Sequence, residues 1–196
     1  MSLTISVKTT DTATPVLERL QRALTDRTKL NEHIASAAEA GTRTYLRKIA
    51  QERHGTANRM GATPTGYLVK RAELVKGQGT KDGAVITFTG AIFRRIAGPV
   101  TIRPKAKKML AIPMRAESYG KRPAQFNDLF VYRAGQGRAF LARKAGEGRL
   151  HFYFLLKSVV TLPQDRTLAP SDEEYAKFSE EGARAYLASI EKSGGK

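Results

Sequence analysis

Past Ala72 the periodicity of this chain changes, and that change restricts the fold more than any other feature. Before it, apolar residues recur at helical spacing. After it, they come in short β-type runs broken by glycine and proline. Helical segments followed by a run of strands, with one more helix to close the chain, predict an α+β fold. With 196 residues, 41% of them apolar, the chain has the length and the core material of a single domain. The expectation is one α+β domain over 1–196: a helical part at 15–54, a mainly β part at 72–162 as a twisted antiparallel meander, and a closing helix at 171–192.

Leu3, Ile5 and Val7 alternate as in an extended strand. Thr14-Pro15 then reads as a helix start, a capping hydroxyl followed by proline at the first helical position, with Leu17, Leu20 and Leu24 at helical spacing. A longer helix runs from Thr28 to Arg53, its apolar stripe being Leu30, Ile34, Ala37, Ala38, Tyr45 and Ile49. Gly41 lies on that stripe, where a missing side chain lets another backbone approach. Gly55 reads as the helix stop, and Thr56–Gly66 as loop.

Strands are expected at Ala84–Thr89, Pro99–Arg103, Met109–Met114, Leu129–Arg133, Arg138–Arg143 and Leu150–Val160. The last three are separated by Gly135-Gln136-Gly137 and Gly146-Glu147-Gly148, good hairpin turns. Phe152-Tyr153-Phe154-Leu155-Leu156 has no polar alternation, which predicts a strand covered on both faces. Ser171 with Glu174 forms a capping box. It opens a helix whose apolar stripe is Tyr175, Phe178, Tyr186, Leu187 and Ile190. The tail Ser193–Lys196 reads as frayed.

Charge narrows the function classes. Lys and Arg number 34 against 18 Asp and Glu, a net charge of +16. Half of that excess lies between Arg94 and Arg122, where nine cations meet one acid, Glu117. The last stretch, from Ser171, carries four basic and six acidic residues. A basic middle and a mildly acidic end suit two surfaces with different partners. With no cysteine, disulfides, thiol nucleophiles and iron–sulfur clusters are excluded, as expected of a chain made in a reducing compartment. No apolar run approaches the roughly 18–20 residues that span a bilayer, and the N-terminus lacks the apolar stretch of a secretion signal.

No catalytic constellation is visible, and no cofactor or metal is expected. His33 follows Glu32 on a helix, but position 37 is Ala, so there is no HExxH pattern. His54 suits the negative end of a helix dipole, and His151 an apolar strand. GQG and GEG lead into strands rather than helices and make no phosphate cradle. Metal-binding acids would have to come from scattered positions such as Glu73, Asp82 and Asp128. Tyr67, Phe93, Tyr119 and Phe126 lie near the basic segment, as base-stacking platforms or as anchors of the sheet.

From His54 onward a set of phrases carries further information: Asn58-x-x-Gly61 running through Thr65 and Tyr67 to Ala72–Val75; Ile102-Arg103-Pro104-Lys105; Leu110-Ala-Ile-Pro leading to Tyr119-Gly120; then Leu129-Phe130-Val131, Ala139-Phe140-Leu141 and Phe154–Val159. Over about two-thirds of the chain this resembles the virion-morphogenesis and tail-completion proteins of tailed bacteriophages. The resemblance implies a non-enzymatic building block of the neck or tail top, in the virion after synthesis in the bacterial cytoplasm. It implies a homo-oligomeric ring, usually a hexamer, around the DNA channel. The implied partners are neighbouring neck, tail-tube or connector proteins and DNA in the channel, with no membrane. The candidate contact residues are Asn58, Arg59, Arg94, Arg95, Arg103, Lys105, Lys107, Lys108, Arg115, Lys121 and Arg122. A ring needs two different surfaces on each subunit, and the basic middle and acidic end offer one pair. The alternative is a stand-alone basic nucleic-acid-binding protein.

Overall fold

The computed structural model describes residues 13–53, 55–135 and 137–192. The expected strand at Leu3–Val7, the helix-end position of His54, Gln136 in the first glycine turn and the tail from Ser193 lie outside them. The fold is α+β. In chain order the elements are α1 (Ala13–Thr25), α2 (Thr28–Glu52), α3 (Gly55–Met60), α4 (Tyr67–Ala72), β1 (Lys76–Gly79), β2 (Ala84–Thr87), α5 (Arg94–Ala97), β3 (Val100–Ile102), β4 (Leu110–Pro113), β5 (Phe130–Arg133), β6 (Ala139–Lys144), β7 (Leu150–Lys157), β8 (Val160–Leu162) and α6 (Asp172–Lys192). They group into two compact units, one built from 1–43, 75–88 and 170–196, the other from 44–74 and 89–169.

In the first unit, the N-terminal part of α2 carries the core. Its most buried line is Asn31, Ala35, Ala38 and Thr42. That line shares Ala38 with the expected stripe, whose Leu30, Ile34 and Ala37 are half-buried beside it. Small side chains on this face admit the β1–β2 hairpin. β1 reads Lys-Gly-Gln-Gly, without apolar signal, and the sequence did not suggest it. It forms because β2 pairs with it, Lys76↔Thr87 through Gly79↔Ala84, and because α2 supplies polar partners. Glu39 accepts the Gly77 amide at 2.6 Å, Asn31 donates to the Thr80 carbonyl at 2.6 Å, and Arg43 donates to the Val75 carbonyl at 2.9 Å. These bonds offset the cost of burying Asn31. A side chain at Gly77 would strike the Ala35 carbonyl.

α6 starts at the expected capping box. The Ser171 amide donates to Glu174 at 2.8 Å, and the Glu174 amide to the Ser171 hydroxyl at 3.3 Å. Two expectations about helix packing are corrected. At Gly41 the neighbour is a ring rather than a backbone: an added Cβ would stand 2.5 Å from Phe178. The close backbone approach occurs at Gly182, where a Cβ would lie 2.6 Å from the Ile34 Cα and 2.8 Å from the His33 carbonyl. Leu187, expected on the buried stripe, is 46% exposed. The buried line of α6 steps by four from Gly182 through Tyr186 to Ile190, which leaves position 187 a full 100° off it.

The second unit holds the rest of α2, with Leu46, Ile49 and Ala50 buried. Gly55 does not stop α2, which ends at Glu52; it opens α3, so the expected loop at 56–66 begins as helix. Gly66 takes the left-handed φ of 64° before α4, a conformation glycine adopts without steric cost. The main sheet has the order β4-β7-β6-β5, all antiparallel. Both glycine-bracketed turns close hairpins, by Ala134 N–H to the Arg138 carbonyl (2.9 Å) and Ala145 N–H to the Arg149 carbonyl (2.8 Å). The meander therefore holds for β5 to β7, and β4 adds to the other side of β7. The expected strand Leu150–Val160 is two strands: β8 leaves the main sheet to pair with β3.

No residue from Leu150 to Leu156 is exposed, as the unbroken apolar run requires. A register shift at Leu141/Ala142 distributes the aromatics. Phe152 meets Phe140 and Tyr132 with ring centroids 4.9 and 5.6 Å away. Tyr153 and Phe154 meet Phe126 at 5.2 and 5.8 Å.

Candidate functional site

The two units differ sharply in charge. The first contains 12 basic and 12 acidic residues, whereas the second contains 22 basic and 6 acidic, so the whole excess of +16 belongs to the second. Within it, five arginines take four of the six carboxylates. Arg47 pairs with Glu73 at 2.7 Å, Arg115 with Glu117 at 3.3 Å, Arg143 with Asp128 at 2.5 Å, and Arg53 and Arg95 share Asp165 at 3.1 and 3.5 Å. The unit as a whole carries sixteen more cations than carboxylates.

The Asp165 cluster is structural. The Asp165 amide donates to the Arg95 carbonyl at 2.8 Å, and Arg95 Nε donates to the Pro163 carbonyl at 2.8 Å. Arg53 also donates to the Thr167 hydroxyl, and Tyr45 donates to the Thr167 carbonyl at 3.0 Å. Together they clamp the segment after β8 to α5 and to the end of α2. Burial pushes the Asp165 carboxyl up, but the Thr167 hydroxyl and the two guanidinium groups outweigh it and hold it below the ordinary aspartate value.

A second cluster lies on the sheet. Arg143 sits 5.0 Å and Arg115 5.8 Å from the centre of the Tyr153 ring, and Lys121 5.8 Å from that of Phe126, within cation–π range. The Asp128 hydrogen bond raises the Arg143 pKa, and the Glu117 carboxyl is lowered first by its own amide and then, against burial, by Arg115. Buried Ser118 donates to the Tyr153 carbonyl at 2.8 Å and fixes the strand beneath.

The residues singled out in the sequence thus divide into groups. Arg95 turns inward, its side chain 18% exposed. Arg115 and Lys121 share the Tyr153–Phe126 pair. Asn58 and Arg59 are exposed on α3, with Arg59 donating to the Gly55 carbonyl at 3.1 Å. Arg94 and Arg122 are exposed, the latter's amide donating to the Gln125 side chain at 2.6 Å. Arg103, Lys105, Lys107 and Lys108 stand exposed together on the loop joining β3 to β4. Of the four aromatics, Phe93 is buried, Phe126 packs on the sheet, and Tyr67 is 41% exposed under Arg71. Arg143 escaped the sequence reading. Its signal was a cation next to the apolar run Ala139–Ala142, with Asp128 upstream.

Tyr119 and Tyr67 line a cleft with Thr65, Ala50 and Arg53. Gly120, at φ 74°, brings its backbone against Thr65, where a Cβ would be 2.8 Å from the threonine methyl. Two of the quoted phrases therefore meet in space within this unit, through Thr65 of one and Gly120 of the other. Comparison with protein-family models, curated proteins and solved structures finds no match. Among the described residues no group of three or more His, Asp or Glu is placed to hold a metal ion. No helix among them is long and apolar enough to cross a membrane.

Proposed function

We propose that this chain is a non-enzymatic structural subunit of a tailed-phage or prophage particle, forming a ring at the neck or tail top that completes the tail or joins it to the head. The observation that carries the reading is the meeting of the resembling phrases: Thr65 and Tyr67 from one, Tyr119 and Gly120 from the other, line or border one cleft. Segments that build one interface are expected to come together in the fold. The division of charge agrees with it, because a closed ring is built from heterologous contacts between unlike surfaces. A neutral unit and a strongly basic one give each subunit two.

The mechanism on this reading is assembly, the folded core supplying shape and the polar loops docking onto adjacent layers. The test is deletion of the gene from its replicon, induction of particles and negative-stain electron microscopy. Full heads separated from tails, or tails of abnormal length, are expected. Normal yields of intact infectious particles would overturn the proposal and leave a basic nucleic-acid-binding protein as the reading.

A further inference from the structure

We infer that the β3–β4 loop of the second unit is a contact site for the phosphate backbone of double-stranded nucleic acid, with Arg103, Lys105, Lys107 and Lys108 as the contacting groups. The inference stands on the charge distribution and not on the particle reading, so the two fail separately.

The second unit holds fourteen arginines and eight lysines. Arginine, with its planar fork, matches carboxylates and phosphates alike; five arginines take four of the carboxylates, while others, Arg94, Arg103 and Arg122 among them, are exposed. All eight lysines of the unit are exposed, and none pairs with a carboxylate among the described residues. Lysine is an orientation-free point charge on a flexible stem, and exposed lysines and arginines together suit a partner whose charge is dense and repeating.

The loop concentrates this chemistry. From Arg103 to Lys108 the backbone spans at most about 18 Å when extended. Duplex DNA offers a phosphate every ~3.4 Å of axis on each strand, so four loop cations can each reach one. Pro104 is the only residue of that stretch that is not exposed. Contacts of this kind read no base and carry affinity through counterion release. An acidic protein surface, by contrast, presents separate carboxylates rather than an evenly spaced row of charge.

The test uses the full-length protein and a fluorescein-labelled 30-base-pair duplex of arbitrary sequence, with anisotropy followed from 50 to 300 mM NaCl. The variant Lys105→Gln, Lys107→Gln, Lys108→Gln removes three exposed side chains, and its thermal melt is expected to match that of the wild type. The wild-type association constant is expected to fall linearly on logarithmic axes. The variant's slope is shallower by about 2.7, from about 0.9 per lost phosphate contact. From 50 to 200 mM the wild type then loses roughly 40-fold more affinity than the variant. A control, Lys81→Gln, Lys177→Gln, Lys192→Gln in the first unit, keeps the wild-type slope. Absence of duplex binding at 50 mM, an unchanged slope in the loop variant, or poly-L-glutamate displacing the duplex as well as unlabelled DNA does at equal charge would each overturn the assignment. The last result would point to an acidic protein partner.

Discussion

Replacing Gly182 by alanine tests the packing of the first unit with a change of sign. Glycine inside a helix costs about 0.8–1.0 kcal/mol relative to alanine, so at an open site Gly182→Ala would stabilise the protein by that amount. Gly182 is not at an open site. Its added Cβ would stand 2.6 Å from the Ile34 Cα, 2.8 Å from the His33 carbonyl oxygen and 2.9 Å from the Ile34 nitrogen. All three are backbone atoms of α2, and none can rotate away. Restoring an ordinary contact of 3.4 Å requires α6 to retreat by about 0.8 Å. Overpacking of this kind costs about 1–3 kcal/mol. Set against the gain in helix propensity, a net loss of about 1 kcal/mol is expected, a swing of about 2 kcal/mol from the open-site value. The assay is urea denaturation of the full chain followed by circular dichroism, reading the midpoint at constant m-value. Ala185→Gly, on the exposed side of the same helix, calibrates propensity in place and should cost about 1 kcal/mol. A Gly182→Ala midpoint above that of the wild type would refute the reasoning.

Two further substitutions probe polar groups. Thr42 is fully buried and its hydroxyl has no hydrogen-bond partner. Thr42→Val should therefore raise stability by about 1 kcal/mol, while Thr42→Ser, which keeps the hydroxyl and loses the methyl, should lower it in the same melts. Asp165→Asn should cost about 2 kcal/mol at pH 7, where the carboxylate is hydrogen-bonded by charged partners. The folded carboxyl lies below its ordinary value of 3.8, so its contribution is complete above that value and is lost as pH falls through the lower folded value. The stability gap between wild type and Asp165→Asn should then be constant from pH 7 to 5 and close on acidification below pH 4. A gap unchanged at pH 3 would contradict the assigned ion pairs.

The elements legible in the sequence are those whose signal is local. The length of α2, the Ser171–Glu174 box and the two glycine-bracketed hairpins each announce themselves within a few residues. What was missed depends on partners far along the chain. β1 has no apolar period and exists because Glu39, Asn31 and Arg43 satisfy the hairpin from α2. α3 and α4 are short helices in a stretch whose Gly, Thr, Pro and Asn content favours loop. Gly41 and Gly182 look alike on a helical wheel, and only the docked pair of helices decides which meets a ring and which meets a backbone. The buried line of α2 runs through Asn31 and Thr42 for the same reason: position there is set by room for a neighbour, not by hydrophobicity.

The basic site was visible in outline and not in its parts. Counting charges along the sequence located the excess between Arg94 and Arg122 but treated all nine cations alike. Arg95 belongs to a carboxylate seventy residues away, and Arg115 is held by Glu117 over a tyrosine from β7. Counting also divided the chain into a basic middle and an acidic end, whereas folding draws the acidic end together with the N-terminal helices and the β1–β2 hairpin into a unit of zero net charge. The consequence is physical. A unit of net charge +16 is destabilised by self-repulsion, whereas the acids of the first unit are matched in number by its own cations. Solubility alone would be served by either sign spread over the whole surface. Concentrating one sign in one unit, with lysines and arginines alike left outward, carries a cost that a polyanionic partner would offset.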